Sequence, residues 1–588
     1  MKIGVEYLAH VVHTTFGNNN SGRIVIDGSG TSLGSPLVTR VIPGLPQALN
    51  DFANGYALQF IQGNSLRAAG HTRSFEVFGQ DDWKIGRNFM VNLGLRWEYN
   101  SPITDQRDRF LTLQPGRQSV VFPDAPVGLL YPGDEGVSRS TYHRDWNNFS
   151  LRLGMAWDVL GNGKLAIRGG YGLLYDSPDY QLGAPFITAP PFNITATITS
   201  TRYADPWASS LVNPIPQPFP FHPAGPGDRL NFKALAPLTL GYYDPALATP
   251  YTQEWSFQVQ HQVSPNWVIE AAYVGSSAVK LLSQHQVNPA VLTPMATTIN
   301  ENSRRRLNLG NPQSGQYGGA VFGSIVSEGT DANSSYHSLQ ISVTHKFAHG
   351  LQLSNAYTWG HAIDNASSID WSGAGMTTRI DDYRADRGNS SFDVRHRYIL
   401  TYQYELPRFE NTHAWAHRVL GGWGISGIST FQTGLPFDVI DTTDRCLCGS
   451  GGQRPDYIGG QVQFLDPRST SSHFWFDGTI LTQGTGAPNP FFRRVGSGPS
   501  AAQGAGRFGN FGRNVFHGPG VNNWDVAVLR QWRLRDTGHF DFRAELVNIF
   551  NHAQFLNPNA NIQQNTMFGR ITATRDARIV QLTLRYGF

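Results

Sequence analysis

Along residues 73–588, segments of about ten to thirteen residues carry a period-2 pattern, apolar on one face and polar on the other, and the joints between them alternate short with long. In NFMVNLGLRWEY, Phe89, Val91, Leu93, Leu95, Trp97 and Tyr99 share one face while Asn92, Arg96 and Glu98 share the other. Phe149 to Trp157, Leu165 to Tyr175, Trp267 to Tyr273, Leu339 to Phe347 and Tyr398 to Tyr404 repeat the pattern. The last segment, RIVQLTLRYGF, puts Val580, Leu582, Leu584, Tyr586 and Phe588 on its apolar face and Arg585 opposite, and it stops on an aromatic. The short joints are IGR at Ile85, Val159 to Gly163, SPN at Ser264, AHG at Ala348 and RDTG at Arg535. The long ones are Asn100–Asn147, Asp176–Tyr251, Ser276–Tyr336, His361–Val394, Gln432–Val521 and Asn551–Ala577, and Leu406–Leu420 is intermediate. A soluble sandwich or propeller requires joints of similar length at both ends or a fixed repeat, whereas a transmembrane barrel has tight turns at one rim and long loops at the other. The alternation therefore predicts an all-β, antiparallel transmembrane β-barrel with short periplasmic turns and long extracellular loops.

Composition agrees. Aromatics are plentiful at 12%, charged residues are sparse at 15%, and 63 Gly and 35 Pro suit many strands and turns. A net charge of +3 with scattered Lys and Arg argues against a nucleic-acid surface. The one basic run, Arg304 to Arg306, reads as a solvated loop. No stretch reaches the roughly 18 apolar residues that a spanning helix requires, so a membrane would be crossed by strands. Upstream of residue 73, Ile3 to Phe16, Gly22 to Gly28 and Tyr56 to Gln62 also read as strands, which brings the count to about 16. Residues 1–16 lack the uninterrupted apolar run of a secretory signal.

Enzyme signatures are scarce. GAGRFG carries Gly504, Gly506 and Gly509 at dinucleotide-fingerprint spacing, but no buried strand precedes it and no amphipathic helix follows, so a loop is the reading. No HExxH, GxSxG or Walker sequence occurs. Asp381, Asp382 and Asp386, beside Arg379, Arg384 and Arg387, read as a solvated, mutually neutralising loop, with calcium or ligand contact as the other reading. Cys446 and Cys448 read as a free or locally oxidised surface pair; two ligands are too few for a structural zinc. No catalytic residue, cofactor-binding residue or metal ligand is assigned, and the expectation is a protein that is not an enzyme and holds no cofactor.

Several spaced segments, EVFGQDDWKIGRNFMVNLGLRWEYNSP, NNFSLRLGMAWDVLGNGKLAIRGGYGLLYDSP, TPYTQEWSFQVQHQV, SSYHSLQISVTHKFAHGLQLSNAYTWG and FRAELVNIFNHAQF, occur in an order that resembles the barrel of Oar-like TonB-dependent outer-membrane transporters. The resemblance implies a barrel of about 22 strands around an amino-terminal plug, preceded by a TonB box and often by an immunoglobulin-like module. None of these is legible in residues 1–588, so the expectation is one domain, the carboxy-terminal barrel portion, amino-terminally truncated. It implies outer-membrane lipid and the barrel assembly machinery as partners, TonB reached only through a plug, an extracellular small-molecule, glycan or peptide ligand, and no nucleic acid. The membrane-insertion strand is Val580, Leu582, Leu584, Tyr586 and Phe588; Arg96, Glu98, Arg152, Arg168, Arg543, Glu545 and Arg585 are expected to face the lumen. Tyr180, Trp207, Tyr242, Trp371 and Trp475 are candidate ligand contacts in the long loops, although loop packing accounts for each equally well. The function expected is binding of a scarce solute by the loops and its passage through the lumen, with a structural or adhesive barrel as the rival.

Overall fold

The computed structural model describes residues 1–17, 19–176, 186–187, 189–208, 225–368, 379–380, 382–407, 421–469, 473–476, 491–496, 500–534, 538–564 and 566–588. Its dominant element is a seventeen-stranded sheet. Three short pieces, Thr104–Asp105, Leu238–Tyr243 and Gly388–Asn389, are appended to the ends of longer strands, which leaves fourteen long ones. These are β1 (Lys2–Gly17), β2 (Ser65–Lys84), β3 (Phe89–Asn100), β4 (Asn148–Asp158), β5 (Leu165–Tyr175), β6 (Tyr251–Ser264) and β7 (Trp267–Gln286). Then come β8 (Phe322–Ala348), β9 (Leu351–Asp364), β10 (His396–Glu405), β11 (Trp423–Gln432), β12 (Val521–Leu534), β13 (Gly538–Val547) and β14 (Ile579–Gly587). Each pairs antiparallel with the next in chain order. Among the described residues, β1 pairs only with β2 and β14 only with β13, so the sheet is open between its first and last strands.

Register makes the period-2 pattern continuous around the wall. Tyr99, Trp97, Leu95 and Leu93 stand beside Phe75, Val77, Gly79 and Asp81 on one side and, from Trp97 to Leu93, beside Phe149, Leu151 and Leu153 on the other. On that face Leu95 is 54% exposed, Leu582 68% and Leu584 67%. A row of bare Leu side chains on strand after strand is the pattern of a surface that meets hydrocarbon rather than water. Aromatics mark both ends of the row. At the rim of long loops, Tyr99 stacks on Trp146 at 3.9 Å and Tyr175 lies 5.5 Å from Tyr251. At the rim of short turns, Trp267 meets His345, Trp423 meets Trp532, and Phe540 meets Tyr586. No described helix is long and apolar enough to cross a membrane.

The tight turns follow their chemistry. His349 and Gly350 both have positive φ, 51° and 80°, and link Ala348 to Leu351, the two-residue hairpin geometry whose twist matches its flanking strands. The RDTG turn falls largely on residues 535–537, outside the described residues, as does most of the joint at 408–420.

Three differences from the sequence reading stand out. Arg23–Val25 and Tyr56–Gly63 are strands but not wall strands: they pair with each other and with Thr195–Arg202 in a separate three-stranded sheet. Tyr56–Gly63 buries residues on both faces, Ala57 and Phe60 among them, which a strand in the lipid-facing wall does not do. β2 starts at Ser65 rather than near residue 73. The joint read as a long loop from Ser276 to Tyr336 contains the outer arms of β7 and β8, which continue the ladder to Gln286 and from Phe322. Bulges at Ala278/Leu281 and Leu281/Ser283, with Lys280 at φ 55°, break the alternation there and hide the strand from a period-2 reading.

Most of the large buried apolar residues lie in the long connections and in the outer ends of β2 and β8. One cluster gathers Phe122, Tyr131, Phe192, Phe232 and Phe322; another gathers Phe437, Phe476, Phe492, Phe511 and Phe568. A third, beside the outer end of β2, holds Leu66, Ile103, Phe110 and Tyr243. The wall thus turns its apolar side outward while the loops bury theirs in small cores of their own.

Candidate functional site

The polar face of the wall is the first part of the site. At β1–β3 three carboxylates surround one guanidinium: Arg96 pairs with Glu76, reaches Glu98 at 3.1 Å and lies 3.7 Å from Glu6. Ser150 on β4 donates to Glu98 at 3.0 Å. Arg168 donates to Gln260 at 2.6 Å, and Arg543 bonds Glu545, also at 2.6 Å. Register puts Arg152 beside Gly94 and Arg585 beside Asp541 on this face, where both are exposed. A cavity of about 470 Å³ lies against Ser354, Gln403, Ser426, Asp525, Arg543 and Gln581. A larger one of about 1110 Å³, nearer the short turns, is lined by Glu405, Gln531, Asp541 and Arg585 among others. Charged groups of this density require water or a polar protein surface opposite them.

The loop cap is the second part. Arg304 and Arg305, read as solvated, are 6% and 3% exposed. Arg304 donates to the carbonyls of Val291 (2.6 Å), Thr297 (2.9 Å) and Leu447 (3.0 Å); Arg305 donates to Asn288 O at 2.7 Å and pairs with Glu301. They are internal staples, and burial pushes both guanidinium pKa values down. Only Arg306 of the run is exposed. Asp386 is likewise 2% exposed rather than solvated, paired at 2.8 Å with Arg454. Asp382 caps the short turn Tyr383–Asp386 by accepting from Arg384 N, and Asp381 lies outside the described residues. Cys446 and Cys448 form a disulfide and are buried, so they are no surface pair. As a disulfide they offer no thiolate to a metal. Asp444 beside them is occupied with Gly449 N at 2.8 Å and the Gln453 amide at 3.1 Å. GAGRFG is a loop: Gly504 ends the turn Ala501–Gln503, and Gly506, at φ 111°, packs so closely on Leu292 that an added Cβ would lie 2.6 Å from it.

Of the candidate ligand contacts, Trp207 packs edge-on to Phe60 at 6.0 Å. Tyr242 sits in the appended strand Leu238–Tyr243, partly buried against the first loop core, where burial raises its phenol pKa. Trp475 donates to His517 O at 2.9 Å and lies tilted against Phe464, ring centroids 5.6 Å apart. These three lie in separate parts of the cap, and Tyr180 and Trp371 lie outside the described residues. Sequence reasoning read the stretches that carry Arg306, Arg379 and Arg507 as separate loops and missed that they line one cavity; no local pattern announces such a convergence.

Ser283, His285 and Asp331 meet on the outer arms of β7 and β8. Both the hydroxyl, at 3.0 Å, and the carboxylate, at 2.7 Å, approach the same ring nitrogen, His285 Nε2. A hydrolytic relay requires the two partners on opposite ring nitrogens, so this trio ties the arms together. Burial raises the Asp331 pKa, but hydrogen bonds from His285 and Ser283 outweigh it and hold the carboxyl below its usual range.

No curated protein matches the chain. Among solved structures, the ferripyoverdine receptor of the outer membrane of Pseudomonas aeruginosa aligns over 89% of this chain and 39% of its own, with 10% identity and a TM-score of 0.39. The outer membrane transporter YddB of Escherichia coli aligns over 90% and 52%, with 12% identity and a TM-score of 0.40. The FrpB iron transporter of Neisseria meningitidis aligns over 99% and 53%, with 10% identity and the same score. The chain thus spans about half the length of these proteins or less. Residues 1–581 match the outer membrane beta barrel domain, almost the whole length of the chain, and the protein belongs to that family of Gram-negative outer-membrane barrels.

Proposed function

We propose that the chain is the wall and loop cap of a TonB-dependent outer-membrane receptor, which captures an extracellular solute in its long loops and passes it along the polar face when TonB displaces a plug. The observation that carries this reading is the charge on that face, from Glu6, Glu76, Arg96 and Glu98 at β1–β3 to Arg543, Glu545 and Arg585 at β13 and β14. A purely structural or adhesive barrel also has a polar interior, but an open, unplugged lumen of this character would leak. A plug would supply the partners those groups require, and its withdrawal would leave a wetted path. The chemistry is binding and gated movement, with no covalent step. Val580, Leu582, Leu584, Tyr586 and Phe588 act as the strand the barrel assembly machinery recognises, and lipid covers their face.

The test is accumulation of labelled extracellular solutes by cells producing the protein, with and without TonB. Accumulation that depends on both supports the reading. Accumulation unaffected by loss of TonB sinks it, and a defect confined to surface attachment in cells lacking the protein favours the adhesive alternative.

A further inference from the structure

A groove of about 950 Å³ opens at the long-loop rim, between the outer arm of β2, the chain that follows β3 and residues 138–144 on the approach to β4. Register places it on the outward side of the wall. His71 and Arg73 continue the outward row of Phe75 and Val77 along β2, and Phe75 stands beside Tyr99, which also lines the groove. Arg73 is thus the first outward position of β2 above the aromatic row. Arg144 precedes Trp146 by two residues, and the Trp146 ring stacks on Tyr99. Below that row the face is bare and apolar, with Leu95, Phe149 and Leu151 all exposed.

The lining carries His71, Arg73, Arg139, His143 and Arg144, and no carboxylate among the described residues. Arg139 is neutralised by Asp108. The other acids nearby are engaged elsewhere: Asp105 is buried and bound to Arg109, and Asp145 accepts from Thr249 N at 3.0 Å and Asn147 N at 3.4 Å. Glu76 and Glu98 stand on the opposite, polar face of the wall, gathered around Arg96. Arg73 and Arg144 are exposed and form no ion pair among the described residues. The backbone beneath them is fixed. Arg73 N donates to Ser101 Oγ and Ser101 N to Arg73 O, both at 2.8 Å; Trp97 Nε1 donates to Trp146 O at 2.8 Å, and His143 N to Pro245 O at 3.1 Å. Two uncompensated guanidiniums are thus held just above hydrocarbon, beside an aromatic floor, and the planar guanidinium matches the oxygen pairs of a phosphate.

We propose that this groove binds the phosphorylated headgroup of an outer-leaflet glycolipid, with Arg73 and Arg144 meeting the phosphate and the acyl chains lying down the face of Leu95, Phe149 and Leu151. The inference stands apart from the receptor reading and requires only that the barrel sits in the outer membrane, where the headgroups of the outer leaflet lie at the level of this rim. The assay is native mass spectrometry of the full chain, extracted from outer membranes in detergent and titrated with bis-phosphorylated lipid A or with the same lipid freed of its phosphates. The phosphorylated lipid should bind about tenfold more tightly or better, the worth of a charge-assisted hydrogen-bonding group. Arg73→Gln with Arg144→Gln should abolish that preference, and Arg73→Lys with Arg144→Lys should keep most of it. Arg87→Gln, the same loss of charge in the exposed Ile85 turn at the other rim, should leave it unchanged. Heat-modifiable migration on gels confirms that each variant is assembled.

Equal retention of the two lipids overturns the proposal. So does a preference that survives Arg73→Gln with Arg144→Gln in assembled protein, or one that falls as far in Arg87→Gln. Inorganic phosphate that displaces lipid A at equal concentration assigns the groove to a free anion and also refutes the proposal.

Discussion

Glu328 offers the sharpest test of how the outer arms are held. It lies on β8 well beyond Leu339, where the outward apolar row of that strand ends, and it is fully buried, paired in register with Gln284 on β7 and Tyr243 on Leu238–Tyr243. Burial pushes its carboxyl pKa from 4.5 to about 7, partly opposed by the neighbouring Gln284 amide. The folded arm therefore retains a proton between those two values that the opened arm has released. Stability conferred by the neutral form is fully present below about pH 4.5 and is lost as pH rises through about 7. At about 1.4 kcal/mol for each tenfold change in acidity, the loss approaches 3 kcal/mol by pH 8, as an order of magnitude. Hydrogen exchange of the amides in 281–286 and 322–334, corrected for intrinsic rates, reads it directly. Opening should cost about 2.5 kcal/mol less at pH 8 than at pH 5 in the native protein. In Glu328→Gln, which is neutral at every pH, the two values should agree and match the native one at pH 5. A pH dependence of the same size in Glu328→Gln, or arms in the native protein that tighten as pH rises, would refute the argument.

The facing of the wall predicts that Leu95→Arg, on the exposed apolar row, costs about 2–4 kcal/mol of assembled stability if it lies near the bilayer centre, while Asn92→Arg on the polar face costs little; denaturant unfolding from lipid vesicles compares the two. Asp386→Ala would remove the buried carboxylate that Arg454 meets at 2.8 Å, at a cost of about 3–5 kcal/mol, seen as protease sensitivity of the loop cap, whereas Asp386→Leu with Arg454→Met should recover most of the loss. The Cys446–Cys448 disulfide closes a very short loop, so replacing both cysteines with serine should lower cap stability by only about 1–2 kcal/mol and leave barrel assembly intact on heat-modifiable gels.

The wall was legible in the sequence because hydrocarbon imposes a rule that sequence shows directly. Every second residue of a spanning strand must be apolar, as Leu93, Leu95 and Trp97 are, or Val580, Leu582 and Leu584. The outer arms answer to no such rule. Ser276, Ser277, Ser334 and Ser335 are polar on both faces, the ladder is bulged near Lys280, and the same backbone pairing leaves no periodic trace. The loop cores were illegible for a different reason. Phe437, Phe476, Phe492 and Phe568 meet from positions spread over more than a hundred residues, and nothing local marks them as neighbours. Arg304 and Arg305 show the same limit for charge. Their partners are mostly backbone carbonyls and small amides, which any stretch of chain supplies, so a basic run gives no sign that it will be buried. The cavity of Arg306, Arg379 and Arg507 inherits both difficulties, being assembled from three stretches by the buried contacts that were themselves unreadable.

The two free edges complete the argument about the wall. β1 runs toward the long-loop rim, because β2, its antiparallel partner, descends to the Ile85 turn. β14 runs toward the short-turn rim, because its partner β13 rises from the turn after Leu534. The edges are thus antiparallel to one another, as an even number of strands requires. They can be joined directly, or through any even number of further strands, without a parallel pair. An odd number would force a parallel neighbour, which a membrane barrel built of hairpins does not contain. Both edges expose their full length, with Ile3, Val5 and Tyr7 outward on β1 and Val580, Leu582 and Leu584 outward on β14, so either mode of closure continues the same apolar row around the seam. In hydrocarbon, each unpaired backbone group along those edges costs several kcal/mol. That cost makes closure of the wall, in one of these two ways, a condition of its residence in the membrane.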